Sequence, residues 1–115
     1  MGKKISAPQY KLKRHYVALG GFLREARLKA DLSQRNVSVD LGYSSAQFIS
    51  NFERGIAAPP VKKLCRILDM YGVSNVSAVE LLLQGKAAKL RADIAAEKSL
   101  RKPRRGGKKR VAFKE

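Results

Sequence analysis

Apolar residues recur at helical spacing in the middle of the chain. From Val17 onward they stand three and four positions apart, on one face of an amphipathic helix; they are Leu19, Phe22, Leu23, Ala26 and Ala30. Ser33 is an N-cap residue type and stands directly before a short polar segment. The pattern predicts a first helix from Val17 and a second helix after Ser33. Val37 and Leu41 lie four apart in the second helix, and we expect both to face a common core.

Two glycines bound a predicted third helix. Gly42 and Gly55 are suited to the left-handed backbone that ends a helix, and Ser44 or Ser45 can cap the helix between them. We expect this helix to bury three aromatic or branched side chains, which are Phe48, Ile49 and Phe52.

A fourth helix is predicted between a proline pair and a glycine. Pro59-Pro60 opens it, because proline is tolerated in a first turn, and Gly72 ends it. Its expected core stripe occupies positions i, i+3, i+4 and i+7, which are Val61, Leu64, Cys65 and Leu68.

A fifth helix is predicted to start near Ser77, with that serine as its cap. Whether it continues through Gly85 stays open at this point, because a glycine costs about 1 kcal/mol inside a helix. A further helical segment is predicted beyond Gly85, to about Ser99. No segment alternates convincingly as a strand, so the predicted fold class is all-α.

Positive charge is concentrated at the two ends of the chain. Of the net charge of +16, residues 17–85 contribute little, with eight basic and six acidic groups. Residues 1–16 carry five basic and no acidic groups, and residues 86–115 carry twelve basic and three acidic groups. We therefore divide the chain into a basic arm (1–16), a folded domain (17–85), and a helical extension with a basic tail that we expect to be disordered (86–115). Cationic arms suit a polyanion, because each neutralised phosphate releases counterions.

The sequence disfavours a secreted protein, a membrane protein, a metal-binding protein and an enzyme. One cysteine in 115 residues forms no internal disulfide, which fits a reducing cytoplasm, and Cys65 is expected to be a small core residue. The first residues resemble no secretory signal, and no apolar run approaches the ~20 residues of a membrane span. A single histidine and a single cysteine give no metal site, and no phosphate loop, cofactor motif or nucleophile–base pair indicates an enzyme.

Two short helices around the turn at Gly42 have the outline of a helix-turn-helix, whose second helix fits the major groove of B-DNA. Residues 19–71 resemble the phage-repressor (Cro/C1, XRE) helix-turn-helix family. The stretches that carry the resemblance are LGGFLREAR (19–27), LSQ (32–34), LGYS (41–44) and ISNFERG with the following Pro59 (49–59). From Gly42 to Gly55 the chain is one residue longer than the commonest family spacing. The resemblance implies a five-helix, lambda-repressor-like bundle that binds double-stranded DNA.

The resemblance also implies site residues. Ser45, Gln47, Ser50 and Asn51 would face the groove, where Gln and Asn can bond adenine through two atoms. Phosphate contacts would come from both ends of the motif and from the fourth helix, namely Gln34, Arg35, Arg54, Lys62 and Lys63. Arg27 and Glu53 would form a partly buried ion pair that positions the reading helix.

The function that follows is a sequence-specific transcriptional regulator, expected to be a repressor or autoregulator on the nucleoid in the cytoplasm. Family members usually act as homodimers, and residues 79–94 either pair subunits or pack on their own domain. Two alternatives stay open: a nucleoid-type architectural binder, and an antitoxin-like autoregulator with a protein partner. RNA is a lesser alternative, because no aromatic stacking platform is evident.

Overall fold

The structure is a computed structural model that describes residues 14–101. This part of the chain contains five α-helices. They are α1 (Val17–Lys29), α2 (Gln34–Asp40), α3 (Gln47–Glu53), α4 (Val61–Tyr71) and α5 (Val76–Leu100). No strand occurs between residues 14 and 101, and no helix in that range has the length and apolarity that a membrane crossing needs. The all-α, five-helix prediction is confirmed. Residues 1–13 of the basic arm and residues 102–115 of the C-terminal segment lie outside the described residues, so the expected disorder of the basic tail is not tested.

Helix α1 is the centre of the fold, because it packs against α3, α4 and α5. Its predicted apolar stripe faces the core, and Leu19 and Leu23 are each 1% exposed. Burying such a side chain stabilises the fold by about 1.5–3 kcal/mol. The buried side chains that the other helices contribute are Val37, Leu41, Ile49, Phe52, Leu64, Ile67, Leu68, Tyr71 and Ala78.

Gly20 brings the backbone of α1 directly against the end of α3. A Cβ atom at this position would lie 2.5 Å from the carbonyl oxygen of Glu53 and 2.6 Å from that of Phe52. Backbone atoms cannot move aside as a flexible side chain can, so a larger residue at this position would push the two helices apart. The distance between α1 and α3 is therefore set by the absence of a side chain at Gly20.

Both ends of α2 have the terminating residues that the sequence predicts. Ser33 is the N-cap: its Oγ accepts a hydrogen bond from the Asn36 amide at 2.9 Å, and the Asn36 Oδ1 accepts one from the Ser33 amide at 3.0 Å. This reciprocal arrangement is a capping box. After the helix, Gly42 has φ 82°, a left-handed conformation that favours glycine.

Helix α5 is one continuous helix of 25 residues, so it does continue through Gly85. Gly85 is buried, and a Cβ atom there would collide with the ring of Tyr16. Tyr16 is itself in the core, although the predicted boundary places it in the N-terminal arm. The predicted Ser77 cap is wrong, because α5 begins at Val76 and its N-cap is Asn75.

Three predictions of buried side chains are also wrong. Phe48 is 45% exposed and stacks on Tyr43 in the preceding turn, outside the core. Val61 is 76% exposed because it is the first residue of α4, where no other helix of the described part of the chain covers it. Cys65 is exposed because it faces an open groove between α4 and α5. Pro60 is the N-cap of α4, so the proline pair precedes the helix and is not part of it.

Candidate nucleic-acid interface

Helices α2 and α3 form a compact pair joined by the turn at residues 41–46. The pair is held by apolar side chains, since Val37 and Leu41 from the first helix and Ile49 and Phe52 from the second are all buried in one core. Helix α3 also packs against α1, so it is anchored on two sides. The arrangement is a helix-turn-helix whose second helix is fixed relative to the rest of the domain.

Helix α3 has one inward and one outward face. Ile49, Phe52 and Glu53 are buried, and they lie together on one side of the helix. At about 100° per residue, Gln47 and Asn51 fall on the opposite side. Gln47 is exposed and Asn51 is half-buried, so the predicted base-reading pair is on the surface.

A hydrogen bond joins the two amide side chains on this outward face. The Gln47 Nε2 donates to the Asn51 Oδ1 at 2.9 Å, one helical turn apart. An amide oxygen has two lone pairs, so the Asn51 Oδ1 can still accept a second bond while its Nδ2 donates. Gln47 therefore holds Asn51 in an orientation that leaves a donor and an acceptor side by side.

The two predicted serines lie at the edge of this face. Ser45 is exposed and precedes α3, in the turn, where its Oγ accepts a hydrogen bond from the Gln47 amide at 3.2 Å. Ala46 is the N-cap residue of the helix. Ser50 is half-buried, within α3.

A buried ion pair connects α1 to the end of α3. The Arg27 Nε donates to the Glu53 Oε2 at 2.6 Å and its Nη2 donates to the Glu53 Oε1 at 3.0 Å. The side chains are only 8% and 3% exposed. This two-bond geometry is the strong form of an Arg–carboxylate contact. Arg27 and Glu53, the pair that the resemblance implies, thus hold α3 against α1.

The ion pair extends to the start of α2. The Arg27 Nη1 donates to the carbonyl oxygen of Leu32 at 2.8 Å, and the Gln34 Nε2 donates to the Glu53 Oε1 at 3.0 Å. Gln34, predicted as a phosphate contact, therefore commits a side-chain donor to Glu53. Four bonds to Arg27 and Glu53 fix α1, the α1–α2 connection, α2 and α3 relative to one another.

Burial and charge around this network shift two pKa values. The hydrogen bond from Arg27 to Glu53 raises the pKa of the guanidinium, although burial acts in the opposite direction. Burial, and next the negative charge of Glu53, raise the pKa of the Tyr71 phenol. With both pKa values raised, Arg27 stays charged and Tyr71 stays neutral at physiological pH.

Lys63 is tied to the turn of the motif. Its Nζ donates to the carbonyl oxygen of Leu41, the C-cap of α2, at 2.6 Å and lies 5.1 Å from the centre of the Tyr43 ring. The Tyr43 ring stacks on Phe48 at 4.4 Å and meets Phe52 edge-on at 6.2 Å. A cation at the C-terminal end of α2 complements the helix dipole. Lys63, predicted as a phosphate contact, thus also supports the turn before α3.

The other predicted phosphate contacts are exposed cations on three different elements. Arg35 lies in the first turn of α2, Arg54 directly follows α3, and Lys62 lies in the first turn of α4. A nearby cation, Arg66, is paired with Asp40 through two bonds of 2.8 and 3.2 Å. This exposed contact joins α2 to α4, and the guanidinium holds the pKa of the Asp40 carboxyl below its ordinary value.

Sequence reasoning missed the links that brace the motif from α4. Lys63 and Arg66 stand on α4, 22 and 26 residues from their partners Leu41 and Asp40. A backbone carbonyl acceptor leaves no trace in the sequence, and the Asp40–Arg66 pair has no special spacing. Only the approach of α4 to the end of α2 reveals them.

A comparison with known families agrees with this geometry. The family model of a helix-turn-helix domain matches residues 18–82, which contain nearly all of α1, the whole of α2 to α4 and the start of α5. No curated protein and no solved structure matches the chain. The matched segment covers more than half of the chain and includes the whole α2–turn–α3 unit. The chain belongs to the helix-turn-helix domain family.

Proposed function

We propose that the protein is a sequence-specific double-stranded DNA-binding regulator that reads the major groove with α3. The observation that carries the proposal is the outward row of Gln47 and Asn51, on a helix whose opposite face is anchored. A short helix fits the ~12 Å major groove, and Asn and Gln can bond the N6 and N7 atoms of adenine. In this proposal Asn51 contacts adenine, and Gln47 orients the Asn51 side chain. Ser45 and Ser50 lie at the edges of the contact.

Phosphate contacts would surround this reading helix. Arg35 in the first turn of α2, Arg54 directly after α3 and Lys62 in the first turn of α4 are all exposed. Gln34 would bind phosphate at the start of α2 while it stays bonded to Glu53, and Lys63 while it stays bonded to Leu41. The basic segments 1–16 and 86–115 would neutralise neighbouring phosphates and make binding strongly dependent on salt.

We further propose that the regulator acts as a homodimer on inverted half-sites and represses transcription, including that of its own gene. Two-fold related reading helices would contact half-sites about one helical turn (~34 Å) apart. The exposed apolar residues of α5 support a dimer, because a monomer gains nothing from leaving Leu83 and Leu90 in water.

The test is selection of bound sites from random DNA, followed by competition between the selected site and random DNA at two salt concentrations. We expect a symmetric motif and a preference of about 10³-fold or more that persists at the higher salt. Equal affinity for all sequences at both salt concentrations would favour a nucleoid-type architectural binder. Co-purification of one small partner protein from native cells would favour an antitoxin-like autoregulator.

A matched pair of variants separates recognition of the bases from charge attraction to the phosphates. Asn51→Ala removes the reading group without changing the net charge, and Arg35→Ala removes a cation from α2. We expect the first variant to lose about tenfold of the sequence preference, at one base pair, and to keep its affinity for random DNA. The second variant should lose affinity for both kinds of DNA and keep their ratio.

A further inference from the structure

Phe48 is an apolar side chain exposed at the border of the outward face of α3. The residue is 45% exposed and lies outside the apolar core of the described residues. At about 100° per residue, Phe48 falls about 60° around the helix from Asn51, between Asn51 and the buried Phe52. Residues three positions apart on a helix have Cβ atoms about 5–6 Å apart. Phe48 is therefore a direct neighbour of Asn51 on the helix surface.

The turn before α3 holds the Phe48 ring in position. The ring stacks on that of Tyr43, with their centres 4.4 Å apart and their planes 16° apart. Tyr43 is itself fixed, because its amide donates to the carbonyl oxygen of Ser38 at 2.9 Å and its ring meets Phe52 edge-on. Tyr43 thus supports one face of the Phe48 ring. A side chain that is ordered before binding loses less entropy when a ligand covers it.

Exposure alone does not give Phe48 a role. Single exposed apolar residues are normal on protein surfaces, and Leu28 on α1 is 50% exposed as well. Phe48 differs from Leu28 in two respects, since its ring is stacked on a fixed neighbour and it lies beside Asn51. An ordered apolar surface at this place would face whatever α3 contacts.

The dimensions of the major groove bring Phe48 into the contact. An α-helix with its side chains is about 10–12 Å across, and the groove is about 12 Å wide, so side chains 60° from the centre of the contacting face still lie inside the groove. The Phe48 ring has no hydrogen-bond donor or acceptor for the nitrogen and oxygen atoms of the base edges. The apolar group that the four bases present in this groove is the 5-methyl group of thymine.

We propose that Phe48 is a specificity-determining residue that packs against the 5-methyl group of a thymine, close to the adenine that Asn51 contacts. The proposal rests on the proposed function and adds a second base to it. Successive bases of a strand are about 3.4 Å apart along the axis, so Cβ atoms 5–6 Å apart reach positions within about two base pairs of each other. The methyl group covers the exposed part of the ring and removes both apolar surfaces from water.

Replacement of thymine by deoxyuridine tests the contact with the unchanged protein. Deoxyuridine lacks the 5-methyl group and keeps Watson–Crick pairing. Each thymine of the selected site is replaced one at a time, and the dissociation constant is measured for each site. We expect one replacement per half-site, within about two base pairs of the adenine, to weaken binding about fourfold, which is the effect of one buried methyl group. The proposal is overturned if no thymine in that range responds.

Variants of Phe48 assign the effect to its ring. Phe48→Ala should bind the thymine site and the deoxyuridine site equally, whereas Phe48→Leu keeps an apolar side chain and should still bind the thymine site more tightly. Leu28→Ala is the matched control, because it truncates a similarly exposed apolar side chain on α1 and should keep the fourfold difference. A Phe48→Ala protein that keeps this difference overturns the assignment. The deoxyuridine scan uses the unchanged protein, so it tests the contact however the variants fold.

Addition of a methyl group tests the contact in the opposite direction. At the responding position the thymine–adenine pair is replaced by a cytosine–guanine pair, and then by a pair of 5-methylcytosine with guanine. These two pairs differ only in the 5-methyl group. The methylated site should bind the unchanged protein about fourfold more tightly than the unmethylated one, and Phe48→Ala should bind both equally. Equal binding of the unchanged protein to both sites overturns the proposal.

These measurements also separate this proposal from the proposed function. If Asn51→Ala relaxes a sequence preference but no thymine responds to deoxyuridine, the regulator stands and the role of Phe48 is refuted. If the unchanged protein selects no preferred site from random DNA, the regulator is refuted, and the thymine contact is refuted with it.

Discussion

The buried ion pair that holds α3 against α1 gives the sharpest prediction about stability. Glu53→Gln keeps the shape of the side chain and removes its charge. The Arg27 guanidinium then stays buried, at 8% exposure, without a counter-charge. An amide offers one oxygen where the carboxylate offers two, so the Arg27 Nε, the Arg27 Nη2 and the Gln34 Nε2 would compete for one acceptor.

The expected loss is large. Breaking a buried ion pair by removing one partner costs about 3–5 kcal/mol. A small domain is stable by only about 5–15 kcal/mol, so this is a large part of the total. Each kcal/mol shifts the melting temperature of a domain of this size by about 4–8 °C, so the Tm should fall by at least ~12 °C.

Urea denaturation followed by circular dichroism measures the effect, with Asp40→Asn as the matched control. Asp40 also accepts two bonds from an arginine, but it does so on the surface, so its loss should change the unfolding free energy little. The double variant Arg27→Met/Glu53→Met should be more stable than Glu53→Gln, since it leaves no buried charge unpaired. If Glu53→Gln loses no more stability than Asp40→Asn does, the ion pair does not hold α3 in place.

Three further predictions concern recognition and pH. Gln47→Ala and Asn51→Ala should relax preference at the same base pair by about tenfold each, and the double variant should lose little more, because Gln47 acts by orienting Asn51. Selection from random DNA measures this, and loss of preference at two unrelated positions would contradict it. Deletion of residues 101–115 should weaken binding on every sequence and reduce the salt slope by about one unit for each phosphate that the tail neutralises, and an unchanged slope would exclude the tail from binding. The pKa of Tyr71 is raised above its ordinary value of 10, so the unfolded chain releases a proton above that pH that the folded chain keeps. Stability should therefore fall as the pH rises past 10, and Tyr71→Phe should flatten that part of the profile in urea denaturation. An identical fall in both proteins would refute the assignment.

Local signals in the sequence predict the helices and their ends well. Ser33, Gly42 and Gly72 act through backbone groups a few residues away, so their roles depend little on the rest of the fold. The stripe of α1 is also predictable, because α1 is covered on several sides and most of its apolar face is buried. The pairing of Arg27 with Glu53 comes from the family resemblance, since nothing in the spacing of 26 residues indicates it.

The three wrong predictions of buried side chains share one physical cause. Helical spacing shows that residues share a face, but it does not show what covers that face. Val61 and Cys65 share a face with Leu64 and Leu68, yet they lie at its edge, beside a groove that no described residue fills. Phe48 is apolar like its neighbours but contacts a ring in the turn, whose path the sequence does not specify. The sequence leaves the continuity of α5 through Gly85 open, and the close approach of the Tyr16 ring to that glycine is a tertiary contact that the sequence does not specify.

The central claim is that Asn51 on α3 bonds the major-groove edge of an adenine. Replacing each adenine of the selected site by 7-deazaadenine, one at a time, removes the N7 acceptor from the major groove and leaves Watson–Crick pairing intact. We expect one replacement per half-site to weaken binding of the unchanged protein about tenfold and to leave the binding of Asn51→Ala unaltered. Equal binding of the unchanged protein to every replaced site would contradict the claim.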